Sequence, residues 1–216
     1  MRRTGAILFP FARYPYGSRK DIRFAYRAPV TSPTMAPGET RIEKWWPDAM
    51  GVSLEADVEA LAEILHAVVH DGAGVSFVVP FSMDEARAFW QEGVLPAVRA
   101  CTRRVVVARR ATRIVATVQL ELAMPPNQRH RAEVLKLLVH PEARRRGIAR
   151  SLMVALESVA RSERRTLLTL DTWTGGHAEA LYRSLGYATA GVIPRFARGS
   201  TTEALEPTTI MYKELE

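Results

Sequence analysis

The residues best suited to chemistry form one run, Leu137-Leu138-Val139-His140-Pro141-Glu142-Ala143-Arg144-Arg145-Arg146-Gly147-Ile148-Ala149. An apolar stretch ends at Pro141, and an amphipathic helical pattern begins within the arginines. The first amides of a helix have no partners inside it, and the helix dipole adds partial positive charge there. A pyrophosphate fits such a terminus. Gly147 lets the main chain approach a phosphate without a side chain in the way. Ala149 keeps the inner surface small, and Arg144, Arg145 and Arg146 attract an anion from a distance. Taken alone, the motif is equally an arginine-rich helix start with a solvated face.

Three further side chains could handle protons. Glu133 begins an otherwise apolar strand pattern, where a carboxylate is unfavourable unless it is paired or working; Arg131 and Lys136 are the available partners. Asp171 follows Leu167-Leu168-Thr169-Leu170 directly, at the end of a strand pattern, and could also be a turn or helix-capping aspartate. Tyr182 carries a phenol that stays protonated at neutral pH and can donate, unless it is simply a core tyrosine. His70 and Asp71, ahead of Gly72, offer polar contacts to a substrate or a plain helix C-cap. Trp173 could wall a pocket or pack in the core. His66 and His70 share a helix face, but Ala67 stands where the glutamate of a His-Glu-x-x-His zinc site would be, so no metal is expected.

The elements that must position these groups follow from periodicity. Arg41–Trp46 reads as a first strand. Leu54, Val58, Leu61, Ala62, Leu65 and Val68 recur at helical spacing. Ser82 and Glu85 form a capping box for a second helix, which Gly93 and Pro96 must break or kink. Arg104–Ala108 and Ile114–Leu122 suit a hairpin, and Pro125–Gln128 a turn. Val134–Val139 is apolar on both faces, as in a central covered strand. A helix with Ile148, Leu152, Met153, Leu156 and Val159 inward leads to a strand at Thr166–Leu170. Ala178, Leu181 and Leu185 mark a short helix stopped by Gly186, and strands follow near Ala188–Ile193 and Thr208–Leu215. The strand–helix–strand crossover makes Val134–Val139 and Thr166–Leu170 parallel, and ligands in such sheets favour the carboxyl ends of parallel strands.

With this context, Arg144-x-x-Gly147-x-Ala149 resembles the acetyl-CoA motif [Q/R]-x-x-G-x-[G/A] of the GNAT superfamily. The resemblance runs from about Arg41 to Leu215. The stretches His70-Asp71-Gly72-Ala73, Arg131-Ala132-Glu133-Val134, Leu168-Thr169-Leu170-Asp171-Thr172, Ala178-Glu179-Ala180-Leu181-Tyr182 and Pro207-Thr208-Thr209-Ile210-Met211-Tyr212 are similar to the tabtoxin-acetylating branch, which acts on the amine of a β-lactam toxin. The resemblance implies an α/β (α+β) fold with a mixed, mostly antiparallel sheet, one parallel strand–helix–strand unit and helices on both faces. It implies acetyl-CoA bound by Leu137, Leu138, Val139 and the Arg144–Ala149 turn, with Glu133 and Asp171 removing a proton from the acceptor and Tyr182 protonating the departing thiolate. An oxyanion donor is expected among the main-chain amides near Leu138 or Val139, where this strand commonly bulges. Gly175 replaces an asparagine that often contacts the cofactor, a replacement shared with the tabtoxin-acetylating branch.

The implied acceptor is a small-molecule amine, with an antibiotic or antimetabolite as one candidate, because the loops His70–Ser76 and Arg195–Glu206 are long enough to build a cup. Acetylation of a protein amine and acetyl-CoA sensing without turnover are the alternatives. The chain has 216 residues and a net charge of +7. The basic residues are almost all arginines spread along the chain, with no aromatic-studded basic module, so no nucleic-acid partner is expected. No apolar run is long enough to span a bilayer. Cys101 is the only cysteine, which favours a reducing, cytoplasmic setting. Residues 1–40, with Pro10, Pro15, Pro29, Pro33 and Pro37, read as a loose extension before an acetyltransferase domain over 41–216. A tail, an over-long start or a targeting segment would each fit that extension. A homodimer is left open.

Overall fold

Residues 39–48 and 53–216 are described by the computed structural model. The extension expected over residues 1–40 lies outside them, apart from Glu39 and Thr40. Along the chain run β1 (Thr40–Lys44), α1 (Leu54–His70), α2 (Met83–Ala88), a π-helical turn (Phe89–Val94), α3 (Leu95–Arg99), β2 (Arg103–Arg110), β3 (Arg113–Glu121), β4 (Arg131–Val139), α4 (Ile148–Ser162), β5 (Leu167–Trp173), α5 (His177–Ser184), β6 (Ala188–Arg198) and β7 (Leu205–Glu214). The strands form one seven-stranded sheet in the order β1-β2-β3-β4-β5-β7-β6. Only β4 and β5 pair in parallel; every other pair is antiparallel. The mixed sheet with a single parallel crossover is the one the sequence implies.

Strand alternation divides the core between the two faces of the sheet. Val106, Ala108, Val118, Leu120, Ala132, Val134, Leu168 and Leu170 pack with Leu152, Met153 and Leu156 of α4. Val105, Val107 and Ile114 pack instead with Leu61, Ile64, Leu65 and Val68 of α1 and with Trp90. An ion pair fastens α1 to the sheet: Arg109 donates to both oxygens of Asp57 at 2.7 and 2.9 Å, and Trp45 Nε1 donates to the same carboxylate at 3.0 Å. The expected disturbance at Gly93 and Pro96 is a π-helical turn followed directly by α3, so the helix is reshaped and not ended.

The site depends on an irregularity in β4. Thr117 pairs with Leu138 and Gln119 with Leu135, so β4 holds one residue more than β3 over this stretch. Lys136 absorbs it with a left-handed φ of 50°. The bulge reverses the alternation: Ala132 and Val134 face α4, whereas Leu138 joins the α1 face and Leu137 and Val139 pack against the α4 side. A bulge also bends its strand. Pairing between β4 and β5 is confined to Arg131–Leu167, Ala132–Leu168 and Glu133–Thr169, and the two strands then part.

Candidate active site

The parting of β4 and β5 leaves a gap edged by main chain. His140 N–H donates to Val115 O at 3.0 Å. The pleat therefore turns the N–H and C=O of Val139 away from β3 and into the gap, where the carbonyl accepts from Arg144 Nε at 3.3 Å. Leu138 is buried, and Leu137 and Val139 line the same stretch half-buried. The bulge expected near Leu138 or Val139 lies slightly earlier, at Lys136.

At the carboxyl end of β4 the chain makes a short 3₁₀ turn over Pro141–Ala143 before α4 begins at Ile148. The helix thus starts after the arginine run and not within it, because Arg145 and Gly147 both take left-handed conformations (φ 62° and 75°). Gly147 is the N-cap, no side chain caps α4, and its first turn carries no acid. The first amides of a well-formed helix are left for an external anion. Arg144, Arg145 and Arg146 are exposed around them, Ile148 is buried beneath, and Ala149 is half-buried. A diphosphate fits this donor set, and an extended arm could pair with the edge of β4.

On the α1 face of the sheet the acidic groups converge. Glu133 and Thr169 are register partners, and Asp171 lies two residues along β5 on the same face. Burial is the main cause of a raised Glu133 pKa, with Asp171 and Glu121 adding to it and Arg131 opposing. Glu121 is the cross-strand partner of Glu133, and Arg103 clamps it at 2.5 and 2.9 Å. Arg131 stands 3.9 Å from Glu133 and donates to Thr169 Oγ1 at 2.8 Å. Asp171 is exposed and accepts from Thr208 Oγ1 at 3.3 Å. Trp173 follows on the same face and is 47% exposed, so it is not a core residue.

Tyr182 approaches from the other face. It is buried in the α4-side core beside Tyr187, with ring centroids 5.7 Å apart. Burial, and then the charge of Asp171, push its pKa well above the ordinary value. Its hydroxyl makes no hydrogen bond to a described residue. Tyr182 thus lies on the α4 side of the sheet and the two carboxylates on the α1 side, with Asp171 close enough to act on the phenol.

The remaining expected site residues are placed differently. His70 is exposed, stacks on His66 at 4.1 Å and bonds its main-chain carbonyl through Nδ1 at 2.9 Å. Asp71 caps α1, and its carboxylate takes Arg144 Nη1 at 2.5 Å, joining the end of α1 to the phosphate turn. Among the described residues no cluster of histidine, cysteine and acidic side chains is arranged to hold a metal. None of their helices is long and apolar enough to cross a membrane. Gly175 takes φ 78° and donates its N–H to Glu179 at 2.6 Å.

The sequence offers Lys136 only as a partner for Glu133, yet in the structure its Nζ reaches Ser76 Oγ at 3.0 Å and lies 5.7 Å from the centre of the Phe77 ring. Its charge stands alone in the run Val134–Val139, but side-chain type does not mark which residue will form a bulge.

A model of the acetyltransferase (GNAT) family matches residues 66–187. Among solved structures, a ribosomal-protein-alanine N-acetyltransferase from Brucella melitensis is 24% identical, with a TM-score of 0.63 over 81% of this chain and 99% of that one. A Salmonella typhimurium protein assigned as an acetyltransferase, solved with its cofactor acetyl-CoA, is 19% identical, with a TM-score of 0.65 over 82% and 94%. A protein assigned as a phosphinothricin N-acetyltransferase is 17% identical, with a TM-score of 0.63 over 82% and 99%. The parted strands, the uncapped helix and the family match agree, and the chain belongs to the GNAT family of acetyltransferases, which take their acetyl group from acetyl-CoA.

Proposed function

We propose that this enzyme acetylates the amine of a small molecule, with Glu133 and Asp171 as the proton-accepting groups and Tyr182 as the proton donor. The observation that carries the reading is the gap between β4 and β5, with both carboxylates on its α1 face and the phenol on the other. Acetyl-CoA supplies the activated acetyl group. The Arg144–Ala149 turn holds its diphosphate, and the edge of Leu137–Val139 aligns its arm. An incoming ammonium sheds a proton to Glu133, directly or through water, with Asp171 drawing the cation in. The Val139 N–H faces the gap and donates to the negative charge that develops on the carbonyl oxygen during attack. The C–S bond breaks as the buried Tyr182 hydroxyl gives its proton to the leaving sulfur, and the second proton, shed by the newly acylated nitrogen, restores the phenol.

The small-molecule reading draws support from the similarity to the tabtoxin-acetylating branch and from the phosphinothricin N-acetyltransferase neighbour. Detoxification of an amine antimetabolite is the role this suggests. The ribosomal-protein-alanine N-acetyltransferase neighbour favours a second reading, acetylation of a peptide N-terminus. A panel of small amines and N-terminal peptides, scored by release of free CoA, separates the two. Turnover of peptides alone would remove the small-molecule reading.

Tyr182→Phe is expected to lower kcat about tenfold with little change in KM, because the phenol meets only the leaving group. Single-turnover kinetics check this. An unchanged chemical step would leave Tyr182 as a core residue.

A further inference from the structure

Half-buried and buried cations in this protein generally meet a carboxylate. Arg103 has Glu121, Arg109 has Asp57 and Glu43, and Lys213 has Glu157. Lys136 is half-buried and is the exception at the site: among the described residues no carboxylate lies within 4.0 Å of its nitrogen. Among the described residues its hydrogen-bond partner is the neutral Ser76 hydroxyl alone. Both ends of that contact sit in left-handed backbone, at φ 50° for Lys136 and 75° for Ser76. Neither residue adopts that region readily, and such outliers concentrate at functional sites. Burial lowers the lysine pKa to about 8, although Asp171 acts to raise it.

Two more polar atoms point the same way. Thr117 and Gln119 face the α1 side of β3 and, by register, bracket the bulge that carries Lys136. Both are fully buried, and Thr117 Oγ1 and Gln119 Nε2 have no hydrogen-bond partner among the described residues. Arg103 donates to Gln119 Oε1 at 3.1 Å, which identifies the amide NH₂ as the free end. Buried polar groups are almost always satisfied. Here a lysine and an amide donor are left over on the face where the acceptor must sit.

Charge makes this placement selective. The acceptor arrives as an ammonium beside Glu133 and Asp171, and a lysine on the same face, close enough for Asp171 to act on it, repels it. The repulsion turns into attraction when the acceptor brings a negative charge of its own. We propose that the acceptor is an amine carrying an anionic group, a carboxylate or a phosphorus oxyanion, and that Lys136, with Ser76, is the specificity residue that receives it. The inference rests on the reading that a small amine is acetylated between Glu133 and Asp171.

The test compares matched acceptors on the full chain: α- and ω-amino acids, aminoalkylphosphonates, and the corresponding amino alcohols and amino amides, each assayed by CoA release. The wild-type enzyme is expected to prefer the anionic members over the neutral ones by at least about tenfold in kcat/KM, mainly through KM. The carboxylate and phosphonate arms show which oxyanion is meant. Lys136→Met should bring that ratio near one, and Lys136→Arg should restore part of it. Acetyl-CoA binding by calorimetry verifies that each variant is folded; if the Met variant does not bind, the wild-type ratio and the Arg variant decide. Equal use of neutral and anionic amines by the wild type overturns the proposal, as does a preference that survives Lys136→Met. If peptides are acetylated and no small amine is, the small-molecule reading falls first and this inference falls with it.

Discussion

Glu133→Gln should lower kcat by about a hundredfold or more while acetyl-CoA binds as before, since general-base assistance typically contributes ~10²–10⁴. The glutamine keeps the size and removes only the proton-accepting charge. Burial, Asp171 and the cross-strand Glu121 all raise the Glu133 pKa above its ordinary value of 4.5, toward the range where a base is most useful at neutral pH. The wild-type kcat/KM should therefore rise along an acid limb set above 4.5, and the glutamine variant should lack that limb. Asp171→Asn removes one of the charges holding the Glu133 pKa up, so it should move the limb to lower pH as well as reduce the rate. The stability sign is opposite to the activity sign. A carboxyl whose pKa rises on folding disfavours the fold once the pH passes its unfolded value. Glu133→Gln should thus be slightly more heat-stable than the wild type at neutral pH, by a modest amount because the side chain is 39% exposed. Full turnover in Glu133→Gln, with the same acid limb, would sink the assignment of this residue as base.

Most of the scaffold was legible because it rests on short-range rules. The helical spacing from Leu54 to Val68, the Ser82–Glu85 capping box and the β2–β3 hairpin pattern each match an observed element. The parallel pairing of β4 and β5 follows from the helix that crosses over between them. Features set by tertiary context were not legible. The run Val134–Val139 reads as apolar on both faces, which holds apart from Lys136, but it hides the reversal of alternation at that residue. Any residue of such a run can be the extra one, and the choice is made by what packs on either side. The pattern predicts that β6 stops near Ile193, yet it continues to Arg198, because a shifted register beyond Ile193 accommodates Pro194 at the edge of the sheet. The sequence assigns Asp71 and Arg144 to different ligands, and their pairing joins elements far apart in sequence, which no local pattern reports.

The second large effect is expected at Gly147. Gly147→Ala should weaken acetyl-CoA binding about tenfold and leave the chemical step of the saturated enzyme largely intact. Gly147 has φ 75° and ψ 0°, and a left-handed conformation costs a residue with a Cβ roughly 1–2 kcal/mol. A Cβ there would meet no protein atom within 4 Å, so crowding inside the protein does not confuse the result. The strain can be relieved only by turning the peptide, which re-aims the first amides of α4. About 1.4 kcal/mol lost from those donors is a tenfold change in affinity. Asparagine tolerates the left-handed region better than alanine does, so Gly147→Asn should fall between the wild type and Gly147→Ala. Gly191→Ala is the control: the added methyl meets nothing within 4 Å, the position has no left-handed φ, and it lies on β6, outside the phosphate turn. Calorimetric titration of acetyl-CoA into the three variants reads the order directly. If Gly147→Ala binds as tightly as Gly191→Ala, the diphosphate is not held by the amides that follow Gly147, and the exposed arginines alone would have to account for its binding.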